Sequence, residues 1–411
     1  MKRNLLNLQI IALLVSVLFL YSCSNISSPS VEKDTRSGNE SFDIHSDQPS
    51  FSKSVGIFPS MISQDKGYYF IRGYTGRKFL YFTDKRSMET IALCNKPNCL
   101  HTDDKIESCN AYLNNDNTMD IGDILFYDKH IYYYKQREGN NSQTEFYLTQ
   151  VTTDGTQRKD VYTFKVCPQY VIIHRGYLFF STTDNGTVNG KEESTISKSQ
   201  IFRVPMTDLS RAPELIYENN GIFASITSLK GYQDNVFFEY YLYTDSKMEK
   251  LSSSLVSYHI STGKVSVIGD SVRRSAICGD KIVYSIDDNH ICISNIDGSN
   301  KEIHDGMIGD ANSDDQYIIT DTITRFYEGK KDNSGSPIKM CLYVYDLDGK
   351  LIQSFRLDQF SWAWLMGSDR TYIFLATPNP SNENEVIHWK IDKSQLPFGT
   401  AELEQYYKYT N

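Results

Sequence analysis

The sequence predicts an all-β fold, a β-propeller built from four-stranded antiparallel sheets. Three features lead to this prediction: an excess of aromatic residues, short strand patterns that recur along the body of the chain, and turn residues that separate those patterns. The chain has 411 residues, with 29 Tyr and 21 Phe but only 3 Trp. Because Tyr and Phe are enriched in strands, this composition indicates β structure rather than helices.

Composition also limits the class of protein. Hydrophobic residues make up 40% of the chain and charged residues 23%, values that fit a soluble globular body and exclude a polytopic membrane protein or a mostly disordered chain. The net charge of −9 comes from 42 basic and 51 acidic residues. Since no long Lys/Arg block is present to contact phosphates, nucleic acid is not an expected partner.

The N-terminus carries the pattern of a lipoprotein signal peptide over residues 1–22. Lys2 and Arg3 precede an apolar run at 10–20, which has the length of a signal-peptide core and is too short to span a bilayer comfortably. The run ends in Ser22-Cys23, which resembles the bacterial lipobox. This resemblance implies cleavage before Cys23, a diacylglyceryl thioether on its sulfur, and anchoring at the outer face of the cytoplasmic membrane or the cell surface. An uncleaved helix or a plain signal peptide is the alternative.

A flexible tether is predicted between the anchor and the folded body, over residues 23–55. Nine of the 29 residues from 24 to 52 are Ser, and few are large and apolar. Such a segment buries too little surface to offset the entropy lost on ordering. We therefore expect it to hold the folded domain away from the membrane.

The body, assigned to residues 56–400, repeats one strand pattern seven times. Each copy has one or two turn residues followed by a short strand rich in Tyr, Phe, Ile and Val. The copies lie at 65–70, 128–134, 175–180, 233–238, 279–284, 314–319 and 368–374. Their spacing brackets the period of about 40–50 residues that is typical of propeller blades.

A second pattern, an alternating strand ending in a polar turn, lies between these copies. It occurs at 146–155, 201–206, 255–264, 291–298, 342–350 and 386–392. Asp-Gly and Thr-Gly pairs supply the turns of tight hairpins, so each unit contains about four strands. The two patterns together predict seven blades, with six or eight as alternatives, and leave residues 401–411 as a C-terminal tail.

These aromatic strands and Asp-Gly hairpins resemble the superfamily that includes TolB-type and low-density-lipoprotein-receptor-like propellers. The resemblance covers roughly residues 60–395. Its motifs are short, and they imply the fold rather than an activity.

The sharpest local feature is a group of Cys and His residues in an insert at 91–113. Cys94, Cys99, His101 and Cys109 fall within sixteen residues, and three thiolates with one imidazole suit a tetrahedral zinc ion. If Cys99 and His101 lie on an extended segment, both point to the same side. Few carboxylates lie nearby, so the pattern predicts a closed structural zinc site rather than a catalytic one.

Two alternatives to zinc remain: a disulfide between two of the three cysteines, or free thiols. The insert also resembles the Cys-x-x-Pro-x-Cys-x-His…Cys-Asn-Ala insert of propeller lipoproteins from Gram-positive gut anaerobes, with Pro97 three residues after Cys94. That resemblance implies relatives and no activity. The other cysteines, at 167, 278, 292 and 341, lie in or beside apolar strands and are expected to be buried small hydrophobic residues rather than ligands.

The sequence does not assign catalytic residues. It contains no Gly-rich phosphate loop, no Gly-x-Ser-x-Gly motif and no His-Glu-x-x-His motif. Trp362 and Trp364 could stack on a carbohydrate, although packing between sheets is the favoured interpretation. We expect a surface-anchored module that binds or scaffolds a protein or a polymer such as polysaccharide, and the alternative is an extracellular lyase or hydrolase acting on polysaccharide.

Overall fold

The structure is a computed structural model. It describes residues 61–73, 77–99, 101, 108–114, 118–139, 143–188, 191–245, 247–287, 290–305, 310–314, 316–327, 329, 331 and 335–410. The predicted signal peptide, Cys23 and the tether lie outside these residues. Within the described residues, no helix has the length and apolar character needed to cross a membrane.

Three sheets are formed by the first part of the chain. The first sheet contains β1 (Met61–Ser63), β2 (Gly67–Arg72), β3 (Phe79–Asp84) and β4 (Thr90–Ala92). The second contains β5 (Thr118–Tyr127), β6 (His130–Glu138), β7 (Thr144–Thr152) and β8 (Arg158–Phe164). A merged sheet of seven strands follows: β9 (Tyr170–His174), β10 (Tyr177–Val188), β11 (Lys191–Pro205), β12 (Glu214–Tyr232), β13 (Asn235–Tyr243), β14 (Leu251–His259) and β15 (Val265–Asp270).

Three further sheets are formed by the rest of the described chain. One contains β16 (Arg274–Cys278), β17 (Lys281–Ser285), β18 (His290–Asn295) and β19 (Glu302–Asp305). The next contains β20 (Asp310–Ser313), β21 (Ile318–Asp321), β22 (Cys341–Tyr345) and β23 (Leu351–Arg356), with the short helix α1 (Ile323–Tyr327) between β21 and β22. The last sheet contains β24 (Trp364–Ser368), β25 (Tyr372–Asn379), β26 (Asn382–Asp392) and β27 (Glu404–Thr410), with a 3₁₀ helix at Lys393–Phe398.

All strand pairs are antiparallel, and the protein is a β-propeller, as the sequence predicted. The first strands of successive sheets lie beside one another, as β1 does beside β5 and β24. Packing between neighbouring sheets forms six apolar core clusters, one of which joins the last sheet to the first, and a seventh lies within the merged sheet, between its two halves. The sheets therefore form a closed ring.

The number of blades depends on how β12 is counted. This strand of 19 residues pairs with β11 in its first half and with β13 in its second half. Pairing is irregular between Ile222 and Ser225, and Phe223 has a positive φ of 49°. If the two halves of β12 are counted as separate strands, the merged sheet divides into two four-stranded units. With the other five sheets this gives seven units, which agrees with the seven core clusters. The count of seven blades stays a prediction that these two observations support.

One expectation from the sequence was wrong at the C-terminus. Residues 401–411 were predicted to be a tail, but Glu404–Thr410 form β27, the edge strand of the last sheet. Tyr406, Tyr407 and Tyr409 pack there against the buried ring of His388. Burial lowers the pKa of His388 to about 3, so its imidazole is neutral in this apolar setting.

The closing joint, by which we mean the contact between the first and last sheets, combines apolar and charged contacts. Tyr68 packs edge-on against Phe374 with ring centroids 4.6 Å apart. The Asp369 carboxylate accepts hydrogen bonds from the hydroxyls of Ser63 (3.0 Å) and Tyr68 (2.9 Å), and it pairs with Lys85 at 3.1 Å. These contacts tie the turn before β25 to both β1 and β2.

Asp369 remains ionised in this setting. Burial alone would raise the pKa of Asp369, but backbone hydrogen bonds from Tyr372 and Thr371 and the charge of Lys85 outweigh burial and hold the pKa below its usual range. The same carboxylate therefore stabilises its own turn and the joint.

Replacing Asp369 with Ala should destabilise the protein more than a substitution that removes only the hydrogen bonds of a turn. We expect the free energy of unfolding to fall by about 2–4 kcal/mol, because the Tyr68 hydroxyl would be buried without its acceptor and Lys85 would lose its partner. Asp346→Ala is the matched control, since Asp346 also accepts two backbone hydrogen bonds in its turn, from Asp348 and Lys350. Denaturant unfolding measures both variants, and equal losses would contradict the role of Asp369 in the joint.

Candidate metal centre and binding surface

The Cys/His insert interrupts the outer strand of the first sheet. The strand leaves the sheet after β4, where the amide of Leu93 donates to the Leu80 carbonyl at 2.8 Å. It returns at Ala111, whose carbonyl accepts from the Leu80 amide at 2.8 Å, and the Leu113 amide donates to Lys78. Both sides of the insert thus pair with β3. Cys94 lies directly after the exit, and Cys109 lies directly before the return.

The four predicted ligands converge in the structure. One ligand atom from each of Cys94, Cys99, His101 and Cys109 lies within 4.8 Å of the others. His101 Nδ1 is 3.4 Å from the Cys109 sulfur. Cys109 is buried, and the other three are partly buried. We refer to these four residues as the Cys/His cluster; no other group of three or more His, Cys, Asp or Glu side chains with metal-site geometry occurs among the described residues.

The pKa values of Cys94 and Cys109 shift in opposite directions. Burial raises the pKa of Cys94, but hydrogen bonds from the Lys96 and Asn110 amides and from the other thiols outweigh it, so its pKa is lowered. Burial raises the pKa of Cys109 to about 12. Burial also lowers the pKa of His101, which keeps the imidazole neutral and able to donate a lone pair to a metal.

Polar contacts support the base of the insert. Lys96 donates to the Ser108 carbonyl, and the side-chain amide of Asn110 donates to that of Asn95 at 2.7 Å. From the second sheet, the Arg158 guanidinium donates to the carbonyls of Asn110 and Tyr112, each at 2.8 Å. These contacts add to the Cys/His residues in bringing together the chain segments that carry Cys94 and Cys109.

The cluster fits a zinc ion. In a tetrahedral site with bonds of about 2.0–2.3 Å, ligand atoms lie roughly 3.3–3.8 Å apart. The His101–Cys109 distance of 3.4 Å falls in this range, and all four ligand atoms lie within 4.8 Å of one another. Cys94, Cys99 and Cys109 are not joined by a disulfide in the structure. A disulfide would also use only two of the four converging groups and leave a thiol and the imidazole without a role.

The structure also shows where the remaining residues of interest lie. Cys278, Cys292 and Cys341 are buried in β16, β18 and β22, as expected. The expectation was wrong for Cys167, which is exposed beside the Tyr134 hydroxyl because it lies in the loop between β8 and β9. Trp362 and Trp364 stack on each other with centroids 5.0 Å apart. Both pack against the core cluster of the closing joint. This packing is the interpretation favoured from the sequence.

A candidate binding surface lies on the merged sheet, where the sequence indicated none. The strands β10 and β11 continue past the last residues that pair with β9, so the pairing of β10 with β11 extends beyond β9. Four residues are directly paired across β11, β12, β13 and β14, and paired residues share one face of a sheet. We call them the apolar row: Ile196, Ile222, Tyr243 and Leu251.

The apolar row faces solvent in part. Ile196 is 45% exposed and Leu251 is 56% exposed, and Phe223 beside them is 40% exposed, with its ring edge-on to Tyr243. Sequence reasoning missed this surface because it arises from register between strands that are far apart in the chain. The sequence of any one of these strands does not indicate the surface.

Comparison with known proteins gives fold-level likeness only. No family model and no curated protein matches this chain. Similar solved structures include TolB from Acinetobacter baumannii, with 12% identity, a TM-score of 0.35 and coverage of 68% of this chain and 64% of that one, so this chain spans less than two thirds of TolB. Apo AztD from Citrobacter koseri has 8% identity, a TM-score of 0.42 and coverage of 85% of each chain.

An oligogalacturonate lyase from Vibrio parahaemolyticus is similar at 12% identity, with a TM-score of 0.35 and coverage of 67% of this chain and 74% of that one. Likeness at this level carries no argument about activity. The fold assignment rests on the sheets and core clusters themselves.

Proposed function

We propose that this protein is a lipid-anchored, extracytoplasmic β-propeller that binds a protein partner through the apolar row. The observation that supports this proposal is the alignment of four apolar side chains across four strands, with Ile196 and Leu251 about half exposed. Exposed contiguous apolar surface is characteristic of protein interaction sites. The rigid ring would present this surface without a large cost in ordering entropy.

The chemistry of the row favours a protein over a polysaccharide. Ile and Leu side chains offer aliphatic contact, whereas sugar rings are usually held by aromatic stacking combined with polar groups. Charged and amide side chains lie nearby: Lys198 pairs with Glu218 at 2.9 Å, and Gln200 donates to the same carboxylate at 2.8 Å. An apolar centre with a polar margin is the usual arrangement of a protein interface. The polysaccharide-acting enzyme has no assigned residues and stays an alternative from the sequence.

Removing the apolar contacts should weaken partner binding. We expect the double substitution Ile196→Ser and Leu251→Ser to reduce binding roughly tenfold or more, since each buried aliphatic side chain contributes about 1–2 kcal/mol to an interface. The control is Val267→Ser with Ile303→Ser, which removes two side chains that are 58% and 62% exposed on other strands. Cross-linking on intact cells, followed by quantification of the cross-linked protein, compares the two variants.

Retention of the same cross-linked partner by the row variant and the control would contradict this proposal. Recovery of a protease-resistant envelope polymer in place of a protein would show that the ligand class is wrong.

We further propose that the Cys/His cluster holds a structural zinc ion, coordinated by Cys94, Cys99, His101 and Cys109. The convergence of the four groups supports this proposal. Four protein ligands would fill the coordination shell of zinc, so the ion would organise the insert and leave no open position for a substrate.

Protein purified without chelator should contain about one zinc ion per chain. Cys109→Ser should lose most of the metal, whereas Cys167→Ser should keep it because Cys167 lies outside the cluster. Elemental analysis together with a count of reactive thiols measures both. Absence of metal together with loss of two thiols to a disulfide would contradict the zinc site.

The lipid anchor is the remaining part of the proposal, and its residue, Cys23, lies outside the described residues. The basic residues, the apolar run and the position of Cys23 in the sequence support it. We expect the wild-type chain to incorporate a labelled fatty-acid precursor and to remain with the membrane. Cys23→Ala should abolish labelling and release the protein, with Cys167→Ala as the control; unchanged labelling of Cys23→Ala would contradict the anchor.

A further inference from the structure

The closing joint and the Cys/His cluster lie at the same place in the ring. The first and last sheets are each formed by consecutive strands, and in the described part of the chain no strand of one pairs with the other. The joint is therefore held by side chains. Cys94, Cys99 and Cys109 pack against the same core cluster that joins the two sheets, together with Ala111 and Tyr112.

Arg72 of the first sheet makes several contacts across the joint. The Arg72 guanidinium of β2 lies 3.9 Å from the ring centroid of Tyr409 in β27. It donates to the Thr410 carbonyl at 2.8 Å and to the hydroxyls of Tyr407 (3.2 Å) and Tyr81 (2.9 Å). Arg72 thus joins the first sheet to the C-terminal strand.

The insert completes the sheet that carries Arg72. Arg72 pairs with Phe79 in β3, and Phe79 forms an isolated bridge with Tyr112, which follows the return of the insert. The rings of Phe79 and Tyr112 are 5.4 Å apart. If the return segment at 109–113 left the sheet, β3 would lose its outer partner beside Arg72, and Ala111 and Tyr112 would leave the core of the joint.

We propose that metal binding at the Cys/His cluster locks the closing joint of the propeller. This inference rests on the proposed zinc site. The metal fixes Cys94 at the exit and Cys109 at the return of the insert, and so holds residues 111–113 on β3 and against the last sheet. A strand from one end of the chain that paired in the sheet at the other end could hold the ring closed. Here metal coordination has that role.

Hydrogen exchange of the full chain, measured by mass spectrometry, tests this inference. The zinc-loaded protein is compared with protein treated with a strong chelator and with the chelated protein after zinc is restored. We expect exchange in peptides from β2, β3, 109–113 and β25–β27 to rise about tenfold on metal removal and to recover on reloading. Peptides from β16–β18, on another part of the ring, are the internal control and should change less than about twofold.

Substitutions of single cysteines test whether the effect of metal removal comes from the Cys/His cluster. Cys94→Ser should reproduce the effect of chelation, and Cys167→Ser should not. Because reloading uses the wild-type chain, a misfolded variant does not prevent the test. Zinc binding in a one-to-one ratio would support the zinc site. If the increase in exchange is then confined to the insert, or is equal in all sheets, the proposal that metal locks the closing joint is wrong. If no zinc binds, both are wrong.

Discussion

A ring of sheets must join its first sheet to its last, and the rest of this protein depends on how that joint is made. Six of the seven core clusters connect units that are adjacent in sequence, so the chain itself keeps them near one another. The seventh connects β1–β4 with β24–β27, which lie about 300 residues apart, as the Ser63–Asp369 hydrogen bond shows. Closing so long a loop costs entropy that local contacts do not repay. The contacts of Asp369 and Arg72 lie between the first and last sheets, and they therefore help to offset this loss of entropy.

Elsewhere in the ring, neighbouring sheets are also tied by buried charge. Lys230 in β12 and Glu239 in β13 are almost fully buried and lie 3.1 Å apart. Glu239 also accepts hydrogen bonds from the amide (2.7 Å) and hydroxyl (2.5 Å) of Ser275 in β16. A second pair, Lys393 with Asp314, links the last sheet to the sheet before it. Such pairs are costly to desolvate, and further hydrogen bonds to each carboxylate, from Ser275 to Glu239 and from Ser368 to Asp314, offset part of that cost.

The sequence predicted the middle strands of each sheet and missed most of the inner and outer ones. The seven copies of the first pattern correspond to second strands such as β2 and β25, and the second pattern corresponds to third strands such as β14. Middle strands are covered on both faces and are therefore rich in Tyr, Phe, Ile and Val. By contrast, β20 reads DANS and β19 reads EIHD, and only pairing with neighbours makes them strands. For the same reason β27 was taken for a tail, although its tyrosines cover His388.

The two candidate sites differ in what sequence could reveal. The Cys/His cluster lies within one short segment, so spacing and ligand type were sufficient to predict its four residues. The apolar row joins Ile196 to Leu251 through three strand pairings, and a one-residue shift in any register would place one member on the opposite face. The row forms where β12 pairs with both β11 and β13, at Ile222, next to the irregular pairing near Phe223. The same merging of sheets that obscures the blade count therefore creates the surface to which we assign binding.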